Sequence, residues 1–218
     1  MTHHTRFLTL GYFVAAGLTG SSPSASAQDR ERPAITVLVY NHAAVALDTL
    51  ARAEAQAAAI FGQAGVDIVW ADPATDSRYS AISPTSNSLG TFTVQMVVRA
   101  HATGPAVRGE SEMGRALGGG TETGGVARLF YDRVTTVAHE RRRNVSDVLG
   151  WAMAHEMGHL LLPYPSHSAT GIMTAEWNAD AFRHATDGAL SFTPSQAALI
   201  RSRCRMAVPG PQSPVPSP

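Results

Sequence analysis

One cysteine and no lysine stand among the 218 residues. The single Cys204 excludes an intramolecular disulfide, so the fold must rest on its apolar core, with a bound metal as the one other cross-link open to it. Cys204 falls near the end of a predicted C-terminal helix and is expected to be buried. The missing lysine makes every basic residue an arginine and carries no functional reading. Charge is scarce at 16% of residues, and the formal net charge is zero. Without Arg6 the balance is 16 basic against 17 acidic residues. This excludes a general electrostatic attraction to nucleic acid or to an anionic membrane. The sequence also lacks internal repeats and an apolar run long enough to span a bilayer.

The longest apolar run near the N-terminus is "FLTLGYFVAAGL", residues 7–18, preceded by Arg6 and followed by "SASA" with Ala25 and Ala27. This order predicts a signal peptide over 1–27, a mature chain from Gln28, and a secreted or periplasmic protein. No arginine pair precedes the run and no cysteine follows it, so no lipid anchor is expected. About 190 residues remain, enough for one domain with a proper core. The expected organisation is a short N-terminal segment at 28–33, a folded domain at 34–206, and a disordered Pro/Ser-rich tail at 207–218.

"AITVLVYN", 34–41, is rich in β-branched residues and predicts a strand. The alanine-rich segment after it places Leu47, Leu50, Ala53 or Ala57, and Ile60 at helical spacing, ended by Gly62 or Gly65. "VDIVW", 66–70, predicts a second strand, parallel to the first across a helical crossover. Residues 71–90 read as a polar loop, 91–100 as a strand, and the glycine-rich 101–125 as a surface segment. "VARLFYD", 126–132, reads as a strand that could offer an edge to an extended peptide. "ERRR", 140–143, reads as a solvated loop, with a basic subsite as the second reading. A helix over 144–162 has Asn144 or Ser146 as its cap, Asp147 in its first turn and Pro163 and Pro165 at its end. Thr193 and Pro194 open a last helix.

Inside the helix over 144–162 lies "HEMGH". Positions i and i+4 share a helix face, so His155 and His159 can direct imidazole nitrogens at one ion. Glu156 is offset from the metal but within reach of a water on it. A zinc ion lowers the pKa of such a water to about 7, and a carboxylate can then take its proton. Gly158 has no propensity reason to stand mid-helix, where it costs about 1 kcal/mol against alanine. A catalytic zinc takes three protein ligands and a water. His167 is the expected third; it stands eight residues beyond His159, and an extended chain of that length covers more than about 20 Å. Glu176, with Asp180 in ExxxD spacing, is the competing third ligand. His42, His101, His139 and His184 are expected to be surface or satisfied histidines. Trp177 is expected in the core or lining a substrate pocket.

"HEMGHLLLPYPSHSATGIM" resembles the metzincin zinc peptidases, the matrixin-like ones above all. Their motif is HExxHxxGxxH followed by a methionine in a tight turn beneath the metal. The resemblance implies His155, His159 and His167 as zinc ligands, Glu156 as general base and Met173 as the turn methionine. The family's glycine falls at Leu162 here and its third histidine at Pro165, so His167 comes two positions late. Met173 still follows His155 by 18 residues, as in many matrixin-like sequences. No cysteine precedes the helix, so the matrixin cysteine-switch inhibition has no counterpart. The ExxxD alternative is similar to the gluzincin arrangement.

The resemblance also implies the fold class. This is α+β, with a mixed twisted sheet of about four to five strands, a backing helix, an active-site helix and a C-terminal helix. The expected function is a secreted zinc metalloendopeptidase acting on peptide or protein, with no nucleic acid and no stable membrane anchor. The alternative is a non-catalytic, zinc-stabilised exported binding domain.

Overall fold

Strand β1 (Ala34–Asn41) holds five consecutive buried residues, Ile35 to Val39, the mark of a strand covered on both faces. It pairs in parallel with β2 (Asp67–Ala71) on one side and β3 (Phe92–Arg99) on the other. Strand β5 (Gly124–Phe130) continues the sheet in parallel beside β3, and β4 (Gly114–Leu117) closes it antiparallel to β5. The order is β2-β1-β3-β5-β4. Helices α1 (Leu47–Gln63), α2 (Tyr131–Glu140), α3 (Val145–Leu161) and α4 (Pro194–Met206) complete the elements used below. The fold class is therefore α+β, a five-stranded and mostly parallel sheet with packed helices, as expected.

This computed structural model describes residues 32–79, 92–101, 112–118, 124–177, 182–183 and 190–206. All belong to the second of two units, Arg32–Pro218. The predicted signal peptide, the tail at 207–218, parts of the polar loop and of the glycine-rich segment, Asp180 and His184 lie outside the described residues. Among the described residues no helix is long and apolar enough to cross a membrane.

Two elements depart from the sequence expectation. The strand of "VARLFYD" stops at Phe130, and Tyr131 begins α2. The β-branched residues of "YDRVTT" favour a strand by propensity, but Thr135 and Thr136 each bond back through Oγ1 to the Asp132 carbonyl at 2.8 Å. That satisfies their hydroxyls inside a helix, while Val134 and Ala138 turn inward one helical turn apart. Helix α2 takes up Glu140, and Arg143 reaches the Phe182 carbonyl at 3.0 Å; Glu140, Arg141 and Arg142 of "ERRR" are exposed and Arg143 is half-buried. The other departure is β4, inside the glycine-rich segment. It makes β5 an interior strand, so the sheet edge on this side belongs to residues 114–117 rather than to "VARLFYD".

Helix α3 is buried on nearly every side. Asn144 caps it, its Oδ1 accepting from Ser146 N at 3.3 Å and from Ser146 Oγ at 3.1 Å. Its closest neighbour is α1, whose buried face carries Ala53 and Ala57. A Cβ on Gly150 would stand 2.6 Å from the Ala53 carbonyl oxygen and 2.7 Å from Gln56 Cβ. The absent side chain thus lets the two helices touch backbone to backbone. Gly150→Ala gains about 1 kcal/mol of helix propensity but must push rigid backbone apart, at about 1–3 kcal/mol. The substitution is expected to lower the urea midpoint of unfolding with an unchanged m-value; a raised midpoint would contradict this close crossing.

Candidate metal centre

His155 and His159 lie one turn apart on α3, both half-buried. The Nδ1 of His155 is 2.8 Å from the Ile172 carbonyl oxygen. A carbonyl only accepts, so Nδ1 carries the proton and Nε2 is left with its lone pair. The Nδ1 of His159 is 2.6 Å from Ser166 Oγ. The two Nε2 atoms face each other at 3.0 Å. Ligands on a tetrahedral ion at about 2.0–2.1 Å stand about 3.3 Å from one another, so this spacing fits two imidazoles around one cation.

The chain after α3 brings in the third imidazole. Leu162, where the metzincin motif has a glycine, is buried and closes the helix by donating its N–H to the Gly158 carbonyl at 2.9 Å. Pro163, Tyr164 and Pro165 follow as exposed residues, and His167 then turns back. Its ring centroid lies 4.7 Å from that of His159 and 5.5 Å from that of His155. One nitrogen from each of His155, His159 and His167 falls within 4.8 Å of the others, and together they could hold a metal ion. Glu176 is not part of this cluster; it is exposed and lines the cleft nearby. His42, His101 and His139 are exposed, His42 stacked on Tyr40 and His101 beside Asp132 at 3.2 Å.

Beneath the imidazoles runs the turn from Gly171 to Thr174. Gly171 takes a φ of +84°, and a side chain there would strike the Ser191 carbonyl. That carbonyl accepts from Ile172 N at 3.0 Å, and Ser168 N donates to the Met173 carbonyl at 2.9 Å. The turn is thereby fixed, and with it the Ile172 oxygen that orients His155. Met173 is fully buried. Its Sδ occupies the space that a Cβ on Gly158 would need, with Phe192 Cε1 at 3.0 Å from the same point. Gly158 therefore forfeits helix propensity so that the methionine can seat against α3, a reason the sequence alone does not supply.

Glu156 is 7% exposed. Its Cγ would be 2.7 Å from a Cβ on Gly114, so the missing side chain on β4 is what admits it. Burial pushes its carboxyl up to about 8 and the neighbouring Glu112 carboxylate adds to this, against the Ala116 backbone N–H and Arg115, which hold it down. Glu112 and Arg115 are themselves paired at 2.7 Å. Burial draws His155 down to about 4, opposed by its Ile172 bond and aided by His167. Burial, then the neighbouring His155 and His167, draw His159 down to about 3. Both helical imidazoles therefore stay neutral, as ligands must, at any pH near 7. The three histidines and Glu156 open onto a cleft of about 1270 Å³ that also reaches Ala116, Tyr164 and Trp177. Trp177 lines this cleft and packs on Trp151, Phe182 and His155 at centroid distances of 6.2, 5.8 and 5.9 Å. Sequence reasoning missed Ser166, Gly114 and Ala116, which carry no motif of their own.

The Glu156 shift has a sign that can be tested in chelated protein. Its carboxyl in the folded state holds a proton up to about 8, whereas the ordinary value is 4.5. Folding stability linked to this group is present below 4.5 and is lost as pH rises through about 8. Gln does not titrate, so the stability of Glu156→Gln relative to wild type should grow between pH 5 and pH 8 in urea titrations with EDTA. An equal difference at both pH values would contradict the burial of an uncompensated carboxyl here.

A scan against protein-family models and a search of curated proteins both return no match for this chain, which leaves the geometry of the three imidazoles and Glu156 as the basis for its function.

Proposed function

We propose that the chain is a secreted zinc-dependent metallopeptidase that hydrolyses peptide bonds with an activated water and Glu156 as general base. The observation that carries this reading is the approach of three imidazoles to within 4.8 Å of one another at the wall of an open cleft, with a carboxyl next to the first of them in sequence. Three imidazoles with no fourth side chain in the cluster among the described residues match a catalytic zinc site, whereas structural sites use four protein ligands. A zinc ion held there supplies Lewis acidity, for water activation and for polarising a carbonyl.

The chain's own residues supply the rest. Glu156 takes a proton from the attacking water and returns it to the departing amine nitrogen. Substrate alignment falls to β4. Phe130 N donates to the Met113 carbonyl at 2.9 Å, which fixes Met113 as bonded toward β5. By antiparallel alternation, the backbone groups of Gly114 and Ala116 then point away from β5 and into the cleft. An extended peptide can add to this edge at Gly114, with its scissile bond beside Glu156, whose carboxyl already takes the Ala116 N–H. The signal peptide expected at 1–27 accords with an exported enzyme.

The test is metal analysis of the purified chain together with a peptide-library digest, with and without chelator. Stoichiometric zinc is expected, with cleavage abolished by chelation and restored by added zinc. Glu156→Gln should keep its zinc and lose about 10²–10⁴-fold in rate, the usual worth of a general base. Full activity in that variant would remove Glu156 from the chemistry. Bound zinc with no cleavage of any peptide would favour the exported, zinc-stabilised binding domain.

A further inference from the structure

Beyond the ligands themselves, the first turn of the C-terminal helix touches the metal centre. Helix α4 opens with Thr193-Pro194-Ser195-Gln196, a capping box. Gln196 N donates to Thr193 Oγ1 at 3.3 Å, and Thr193 N donates to Gln196 Oε1 at 3.1 Å. The other end of the same amide is also used: Gln196 Nε2 donates to the Ser166 carbonyl at 3.1 Å. Only this orientation of the amide satisfies both neighbours, since Thr193 N–H needs an acceptor and the Ser166 carbonyl needs a donor. Ser166 in turn faces His159 Nδ1 through its hydroxyl at 2.6 Å.

The chemistry of that last contact differs from its counterpart on His155. The Ile172 carbonyl can only accept, so it fixes one tautomer. A serine hydroxyl can accept or donate. If Ser166 accepts, His159 carries its proton on Nδ1 and offers Nε2 to a cation. If Ser166 donates, the proton moves to Nε2, which then bonds to His155 Nε2 at 3.0 Å and closes the site. Held at Nδ1, the Ser166 hydroxyl supplies the acceptor that the cation-binding tautomer of His159 needs.

We propose that Gln196 and Ser166 form a positioning relay that sets His159 for metal binding, and so couples α4 to the metal centre. It rests on the zinc reading above. Gln196 is a positioning residue that acts only through Ser166.

The test is zinc affinity of the full chain, measured by competition with a chromophoric chelator. Ser166→Ala should weaken zinc about 10–100-fold, the usual effect of losing such an orienting partner. Ser166→Thr keeps the hydroxyl and should restore most of that loss. Gln196→Glu separates the two roles of Gln196. A carboxylate still accepts from Thr193 N and preserves the capping box, but it cannot donate to the Ser166 carbonyl. This variant should weaken zinc in the same direction, and the double variant Ser166→Ala/Gln196→Glu should bind no worse than Ser166→Ala alone. Additive losses, or failure of Ser166→Thr to restore affinity, would make both residues merely structural and overturn the relay. Unchanged affinity in Ser166→Ala with normal wild-type binding would overturn it as well. A wild-type chain that takes up no zinc would overturn the zinc reading itself, and the relay with it.

Discussion

Two imidazole nitrogens facing each other at 3.0 Å is the constraint on which the rest of the site depends. Two lone pairs at that distance repel, so the pair needs either the N–H of one neutral ring or a cation between them. An added proton is disfavoured near neutral pH, since burial first and neighbouring histidines second draw both rings well below the ordinary histidine range. A divalent cation is a good mediator, because it binds the neutral rings and adds a third imidazole without displacing either. The orienting bonds behind the rings aim at the same end. The Ile172 carbonyl and the Ser166 hydroxyl occupy the Nδ1 atoms, which turns both Nε2 atoms toward one point.

The fold makes this arrangement affordable by enclosing it. Helix α3 is covered by α1, by β4 and β5, and by the Met173 turn, so its few polar side chains cannot reach bulk water on most sides. A buried helix that carries two histidines and a glutamate must satisfy them locally or lose stability. The small residues of α3 are placed to permit that enclosure. Gly150 lets α1 approach, and Gly158 admits the methionine. Across the cleft, Gly114 leaves room for the Glu156 side chain under the sheet edge. Three glycines on two elements thus set the depth at which the ionisable groups sit, and depth sets their proton affinities.

Much of this was legible in the sequence. β-branched runs located β1 and β3, helical spacing located α1, and the capped apolar segment with HExxH located α3 together with two imidazoles of the cluster and the carboxyl. His167 was legible by reach and not by motif register, because a loop lengthened by two residues before the histidine is shortened after it. Helix α2 was hidden because "YDRVTT" has the propensities of a strand, and tertiary burial of Val134 and Ala138 outweighed them. Strand β4 was hidden among glycines, whose role is to let Glu156 and Leu160 approach the backbone at Gly114 and Gly125. The partners of the imidazoles, Ile172 and Ser166, were illegible for a simpler reason. A backbone carbonyl and a loop serine carry no spacing that marks them, and only the folded turn brings them to Nδ1.

The most direct measurement of the central claim is X-ray absorption at the zinc edge of the metal-loaded chain. The account predicts three imidazole nitrogens at about 2.0–2.1 Å and one further light oxygen donor from solvent. Selective loss of one imidazole shell in His167→Ala would identify the third ligand. A first shell with a carboxylate in place of the third imidazole, or with four protein ligands and no solvent, would contradict it.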